Sequence, residues 1–168
     1  MKKICFVTTI PMTLKAFVLD TAIYLYKNGD FEITFICDYD NEFKNELPEF
    51  IKYIPVSMKR GFNLSGLKAI IEMYKVFNSE NFDIVQYSTP NASLYASIAS
   101  WLARVPVRLY CQWGIAYVGF SGIKRFMLKL IEKVICYLST YIEPDSFGNL
   151  RFSHKEGLYK SDKSSVVW

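Results

Sequence analysis

Ile4 to Thr13 read I-C-F-V-T-T-I-P-M-T, an apolar run that passes into a hydroxyl-bearing turn and then a proline-led helix start. A chain that opens strand–turn–helix is committed to an α/β sheet, and the turn beyond such a strand is where these sheets hold ligands. The turn carries Thr8, Thr9, Pro11, Met12 and Thr13 but no glycine. The G-x-G-x-x-G pattern that brings backbone against a pyrophosphate is therefore missing, which argues against a nicotinamide or flavin dinucleotide at this strand. No G-x-x-x-x-G-K-[ST] loop occurs anywhere in the sequence either.

The same alternation continues along the chain. A strand over 3–8 leads to a helix over 13–28, with Leu14, Phe17, Val18, Ala22 and Leu25 on its inner face and Asn28-Gly29 as its stop. Phe31–Cys37 is a second strand, left by Asp38 to Asn41, and Tyr53–Val56 a short third. Ser65 is expected to cap a helix to about 79 that buries Leu67, Ile70, Ile71, Tyr74 and Phe77, with Lys68 and Glu72 as an i,i+4 pair opposite. Asp83–Gln86 is a fourth strand, and Thr89-Pro90 reads as N-cap and first position of a helix to about 103. Val107–Cys111 is a fifth strand, then a long turn from Gln112 to Ser121 and a helix over 122–139. Thr140–Glu143, a short helix over Ser146–Glu156 with Gly157 after it, and an incoming strand at Ser164–Trp168 complete the pattern. Strands alternating with helices predict a Rossmann-like, doubly wound, mostly parallel sheet of about six strands with helices on both faces.

At 168 residues, 51% of them hydrophobic, this is one domain (1–168) with a real core. No apolar run reaches the ~18–20 residues of a spanning helix. The Met-Lys-Lys start resembles a signal n-region, but Thr8, Thr9 and Pro11 interrupt the apolar run that would follow. Cys5, Cys37, Cys111 and Cys136 are scattered, and His154 is the one histidine, so no metal cluster is expected and reduced thiols in a cytoplasmic protein are. The net charge of +4 suits an anionic partner, and an aromatic content of 17% suits sugar stacking or a membrane interface besides the core.

Three loops converge beyond the strand ends: Thr9–Thr13, Tyr87–Asn91 and Gln112–Tyr117. Lys59–Asn63 follows the third strand. Together they offer hydroxyls, amides, a Trp, a Tyr and the Lys59-Arg60 pair, a mix that suits a polyol beside a phosphate. Each residue singly also suits an ordinary turn, cap or solvated charge. In the helix over 122–139, Ile123, Phe126, Met127, Leu130, Ile131, Val134, Ile135 and Leu138 cover half the circumference, with Arg125, Lys129 and Lys133 opposite. That helix is read either as packed on the sheet with a solvated basic back or as laying its basic face on anionic headgroups. Lys124 points from its first turn toward the expected site. His154, beside Lys155 and Glu156, reads as a surface residue, and Asp38, Asp40 and Glu42 form no acid–base pair.

T-T-I-P-M-T-L, I-P-V-S-M-K-R, F-D-I-V-Q-Y-S-T-P-N-A, V-P-V-R-L-Y and F-S-G-I-K-R-F-M-L-K-L-I-E-K-V occur in this order. The set resembles the N-terminal domain of family 4 glycosyltransferases of the two-Rossmann, B-type architecture, of the bacterial capsule, O-antigen and glycan-assembly kind, across essentially the whole chain. The resemblance implies transfer of a sugar from a nucleotide sugar, often UDP-linked, to a polyprenyl-diphosphate-linked acceptor, without a metal and with retention. It also implies that this half holds the acceptor and touches the inner face of the cytoplasmic membrane as a peripheral protein.

The resemblance puts Thr9, Pro11, Met12, Thr13, Ser88, Thr89, Pro90 and Asn91 on the acceptor side. With Lys59, Arg60, Gln112, Trp113 and Gly114 from the loop reading they make the expected cleft, and Lys124, Arg125, Lys129 and Lys133 the membrane-facing set. Gln86 and Ser88 stand where relatives often carry the histidines of H-T-H-T-P, and Gln112-Trp113-Gly114 where they often carry a basic residue before glycine. The nucleotide-binding half with its E-x7-E carboxylates is absent from this sequence, so the domain alone is not expected to catalyse transfer. No cofactor and no nucleic-acid partner is expected. The missing partner is a C-terminal donor domain or, in a split enzyme, a separate donor chain. A stand-alone flavodoxin-like or regulatory domain is the weaker alternative.

Overall fold

Strands buried on both faces read as near-continuous apolar runs, and I-C-F-V and I-T-F-I-C, interrupted only by Thr34, have that character. The computed structural model describes residues 1–58 and 64–166. In it β1 (Lys2–Val7), β2 (Phe31–Cys37), β3 (Ile51–Pro55), β4 (Ile84–Tyr87), β5 (Val107–Gln112) and β6 (Tyr141–Pro144) form one all-parallel sheet, ordered β3-β2-β1-β4-β5-β6. Ile4 and Phe6 of β1 join Leu14, Ala22, Ile33, Phe35 and Phe43 in one core layer. Cys5 and Val7 join Met73, Phe77, Val85, Tyr87, Ala96, Ala99, Ile135 and Ile142 in the other. The four cysteines are buried and free.

The helices are α1 (Pro11–Phe17), α2 (Leu19–Gly29), α3 (Asn41–Glu46), α4 (Leu64–Glu80), α5 (Pro90–Leu102), α6 (Gly122–Leu138) and α7 (Phe147–Lys155). The helix expected over 13–28 is two pieces. It starts at Pro11, whose fixed φ suits a first turn, and it breaks at Val18, where φ is −122°. The break turns Phe17 away from the core, while Leu14, Val18 and Ala22 stay buried as expected. The short α3 was not expected. Asp40 caps it by accepting the Phe43 N–H at 2.9 Å, and Phe43 plugs the core.

α4 begins at Leu64 rather than after a Ser65 cap, and its inner face is turned from the expected one. Ala69, Met73 and Phe77 are buried, whereas Leu67, Ile71 and Tyr74 are exposed. Gly66 explains part of this turn: a Cβ there would stand 2.7 Å from the Tyr95 hydroxyl, so the small residue lets α4 lie against α5. β3 starts two residues earlier than expected and ends one earlier. Of the incoming strand, Ser164 bridges Ile142 in parallel, and Val167 and Trp168 lie outside the described residues.

Candidate functional site

Strand order reverses between β1 and β4, so the crossovers leave in opposite directions and open a crevice at the carboxyl ends. A cavity of about 690 Å³ lies there. Thr13 and Phe17 of α1 form one side, and Thr89 and Pro90 at the start of α5 another. Tyr110 and Cys111 from β5, the Trp113–Ala116 loop, Glu132 of α6 and Asp145 after β6 complete it.

Thr89 joins the two loops at the crevice. Its hydroxyl accepts the Thr9 N–H at 3.0 Å and pairs with the Thr9 hydroxyl at 2.8 Å. It stands at the N-cap of α5 with Pro90 in the first turn, as expected, but its side chain makes no cap hydrogen bond to the helix. Its φ of +67° is unfavourable for a β-branched residue, a strain of roughly 1–3 kcal/mol that the two bonds to Thr9 help hold. Across the opening the Phe17 and Trp113 rings pack at 5.3 Å. Gly114 follows with φ +126°, a conformation that suits glycine and turns the loop back over the cavity.

The cavity floor is a hydrogen-bond network. Gln112 is fully buried: its Oε1 accepts from Ser153 at 3.1 Å and Tyr159 at 3.0 Å, and its Nε2 donates to Glu132 at 2.6 Å. The Tyr110 hydroxyl donates to the same Glu132 oxygen at 3.0 Å. Burial pushes the Glu132 carboxyl above its ordinary pKa, and the bonds from Gln112 and Tyr110 partly offset this. Burial likewise pushes the Cys111 thiol well up, with Glu143 adding to it, which disfavours the reactive thiolate.

Of the residues expected in the cleft, Thr13, Thr89, Pro90, Trp113 and Gly114 meet on its wall. Pro11 and Met12 face a separate groove beside α3. Thr9 is spent on Thr89, Ser88 is buried with its N–H on the Val7 carbonyl, and Gln112 is locked beneath the floor. Asn91 sits half-buried in the first turn of α5. Lys59 and Arg60 lie outside the described residues. His154 is half-buried away from the cleft, 3.2 Å from the Ser164 hydroxyl.

The sequence reading missed Phe17, Tyr110, Cys111, Glu132 and Asp145 as wall residues. One signal for Glu132 was available: it is the sole acid in α6.

α6 is rotated from the expected orientation. Ile135, Cys136 and Glu132 face inward, while Ile123 (83% exposed), Phe126, Met127, Leu130, Val134 and Tyr137 (81%) form an outward stripe. The four cations are divided. Lys129 pairs with Glu156 at 2.6 Å, and Arg125 lies 5.4 Å from the Tyr117 ring. Lys124 sits 3.9 Å over the Phe120 ring, not toward the cavity, and Lys133 is exposed beside the stripe. No helix among the described residues is long and apolar enough to cross a membrane.

Taken together, sheet order and crevice define a Rossmann-like α/β domain with its cavity at the topological switch point. The chain belongs to the glycosyl transferase 4-like family, whose model matches residues 3–145. Over 105 residues it is 34% identical to the capsular polysaccharide biosynthesis glycosyltransferase CapM of Staphylococcus aureus, across 62% of this chain and 25% of CapM. Over 111 residues it is 27% identical to the Escherichia coli UDP-Gal:alpha-D-GlcNAc-diphosphoundecaprenol alpha-1,3-galactosyltransferase, across 65% of this chain and 28% of that one.

In fold it is similar to Anabaena Alr3699/HepE, solved with UDP and glucose (TM-score 0.70, 16% identity, 100% of this chain and 44% of that one). It is equally similar to UDP-GlcNAc 2-epimerase of Methanocaldococcus jannaschii (TM-score 0.71, 20% identity, 99% and 45%). The chain thus spans under half of these structures, and its matched part about a quarter of the two sequence relatives.

Proposed function

We propose that this domain is the acceptor-binding half of a glycosyltransferase of polysaccharide assembly. In this reading the whole enzyme moves a sugar from a UDP-linked donor to a sugar on a polyprenyl diphosphate. The observation that carries it is the cavity at the switch point, in which Phe17 and Trp113 offer ring faces to sugar C–H groups and Thr13 and Glu132 offer oxygens to hydroxyls. The likeness to CapM and to the E. coli galactosyltransferase supports the substrate class.

The donor then belongs to a second domain or partner chain, closing over the strand ends. The domain works as a peripheral protein on the cytoplasmic membrane face. The α6 stripe is the part of the surface suited to lipid, because its apolar side chains are flanked by the exposed Lys124 and Lys133.

The test is a fluorescence titration with α-GlcNAc-diphosphofarnesol. Saturable binding should change the emission of Trp113, and Trp113→Phe should abolish the change. A flat titration would overturn the acceptor reading.

A further inference from the structure

Glu132 is a carboxylate placed where a helix on a sheet ordinarily puts a hydrocarbon. It is 6% exposed, it lines the cavity, and it forms no ion pair with any described cation. Burying a carboxylate without a cation is costly, so a purely structural need would favour a neutral group. A glutamine would meet that need, because the Tyr110 hydroxyl and Gln112 Nε2 both end on one oxygen, Oε1. What the carboxylate adds is a second acceptor, Oε2.

Gln112 cannot turn away from Glu132. Ser153 and Tyr159 hold its carbonyl oxygen, which fixes its amide nitrogen on the carboxylate. The carboxylate is thus held rigidly at the cavity wall with one oxygen spent on the protein. Asp145, the other acid on the wall, is exposed and its Oδ1 is taken by Ser146 and Asn149.

We propose that Glu132 selects the acceptor sugar: Oε2 accepts a hydrogen bond from one hydroxyl of the glycan seated between Trp113 and Thr89. This rests on the acceptor reading above. Sugar hydroxyls are donors, and a hydrogen bond to an ionised acceptor is shorter and stronger than a neutral one. A site committed to such a hydroxyl also rejects sugars that lack it, because the buried oxygen is then left unpaired.

Glu132→Gln is the informative variant, since its carbonyl preserves the bonds to Tyr110 and Gln112 while an NH₂ replaces Oε2. With α-GlcNAc-diphosphofarnesol the expected loss of affinity is roughly 10- to 100-fold, the worth of a charge-assisted bond. Folding, read by thermal melting, should be retained. Phe77→Leu, in the core of α4 and away from the cavity, should lower the melting temperature with far less effect on affinity.

Single-deoxy acceptors complete the cycle. One of the 3-, 4- and 6-deoxy sugars should cost the wild type as much as Glu132→Gln does, and cost the variant nothing further. Equal binding by wild type and Glu132→Gln overturns the proposal while leaving the acceptor reading intact. Deoxy losses that persist unchanged in the variant overturn it too, as does equally tight binding of farnesyl diphosphate without a sugar. No binding by the wild type overturns the acceptor reading, and this proposal with it.

Discussion

α5 and α6 lie side by side on one face of the sheet and meet it in opposite ways. α5 is buried through Tyr95 and six small residues, Ala92, Ser93, Ala96, Ser97, Ala99 and Ser100, and exposes large apolar side chains only at its end, Trp101 and Leu102. α6 turns a carboxylate and two core side chains inward and leaves its richest apolar stripe outside. The central helix is squeezed between α4 and α6, so close approach governs its composition. The outer helix is covered on one side only, and a long apolar stripe there is free for another surface. The lesson is that hydropathy locates the most apolar arc of a helix, whereas packing decides which arc meets the sheet.

The sharpest way to break that contrast is to truncate each side of α6. Ile135→Ala should cost about 2–5 kcal/mol in urea unfolding, as a buried aliphatic does. Ile123→Ala on the same helix should stay within about 0.5 kcal/mol. Equal costs would show that the stripe is covered within the domain. Enlarging α5 tests the opposite side: Ala96→Leu should destabilise by about 1–3 kcal/mol, because that position has no room for three more carbons.

Smaller in stability, but decisive for the outward stripe, is Ile123→Ser/Phe126→Ser/Leu130→Ser. Flotation with phosphatidylglycerol vesicles should weaken at least about tenfold while unfolding is nearly unchanged. Undiminished flotation would sink the membrane role of α6.

Two titrations refine the picture at lower amplitude. Glu132 has its pKa raised in the folded state, so the protein gains most below the ordinary carboxylate range and loses that stability as pH rises through the raised value. Melting temperatures of wild type and Glu132→Gln should therefore diverge in the variant's favour as pH climbs from about 4 to 8. Glu156 has the reverse sign: Lys129 holds its pKa down, so its contribution is present above the ordinary range and fades as pH falls through the lowered value. Lys129→Gln should remove that small dependence, and salt should mask the difference.

Much of the cleft was legible because turn residues sit next to strands whose apolar runs are easy to place. Thr13, Thr89, Pro90, Trp113 and Gly114 were found this way. Gln112 and Thr9 were misjudged, since an amide or hydroxyl at a strand end looks the same whether it faces a ligand or a neighbouring side chain 3 Å away. Phe17 was assigned to the core because a continuous helix would put it there, and the break at Val18 redirected it. α3 was passed over because six polar-rich residues carry too little periodicity.

The sequence by itself determined the parallel α/β class, the order of elements and the end of the sheet where a ligand can bind, because those follow from local hydropathy, caps and chain direction. Only the tertiary structure decided how α4 and α6 rotate on the sheet, which hydroxyls are consumed by one another, and that a carboxylate lies on the cavity wall. These depend on contacts between residues twenty to eighty positions apart, whose distances no local pattern encodes.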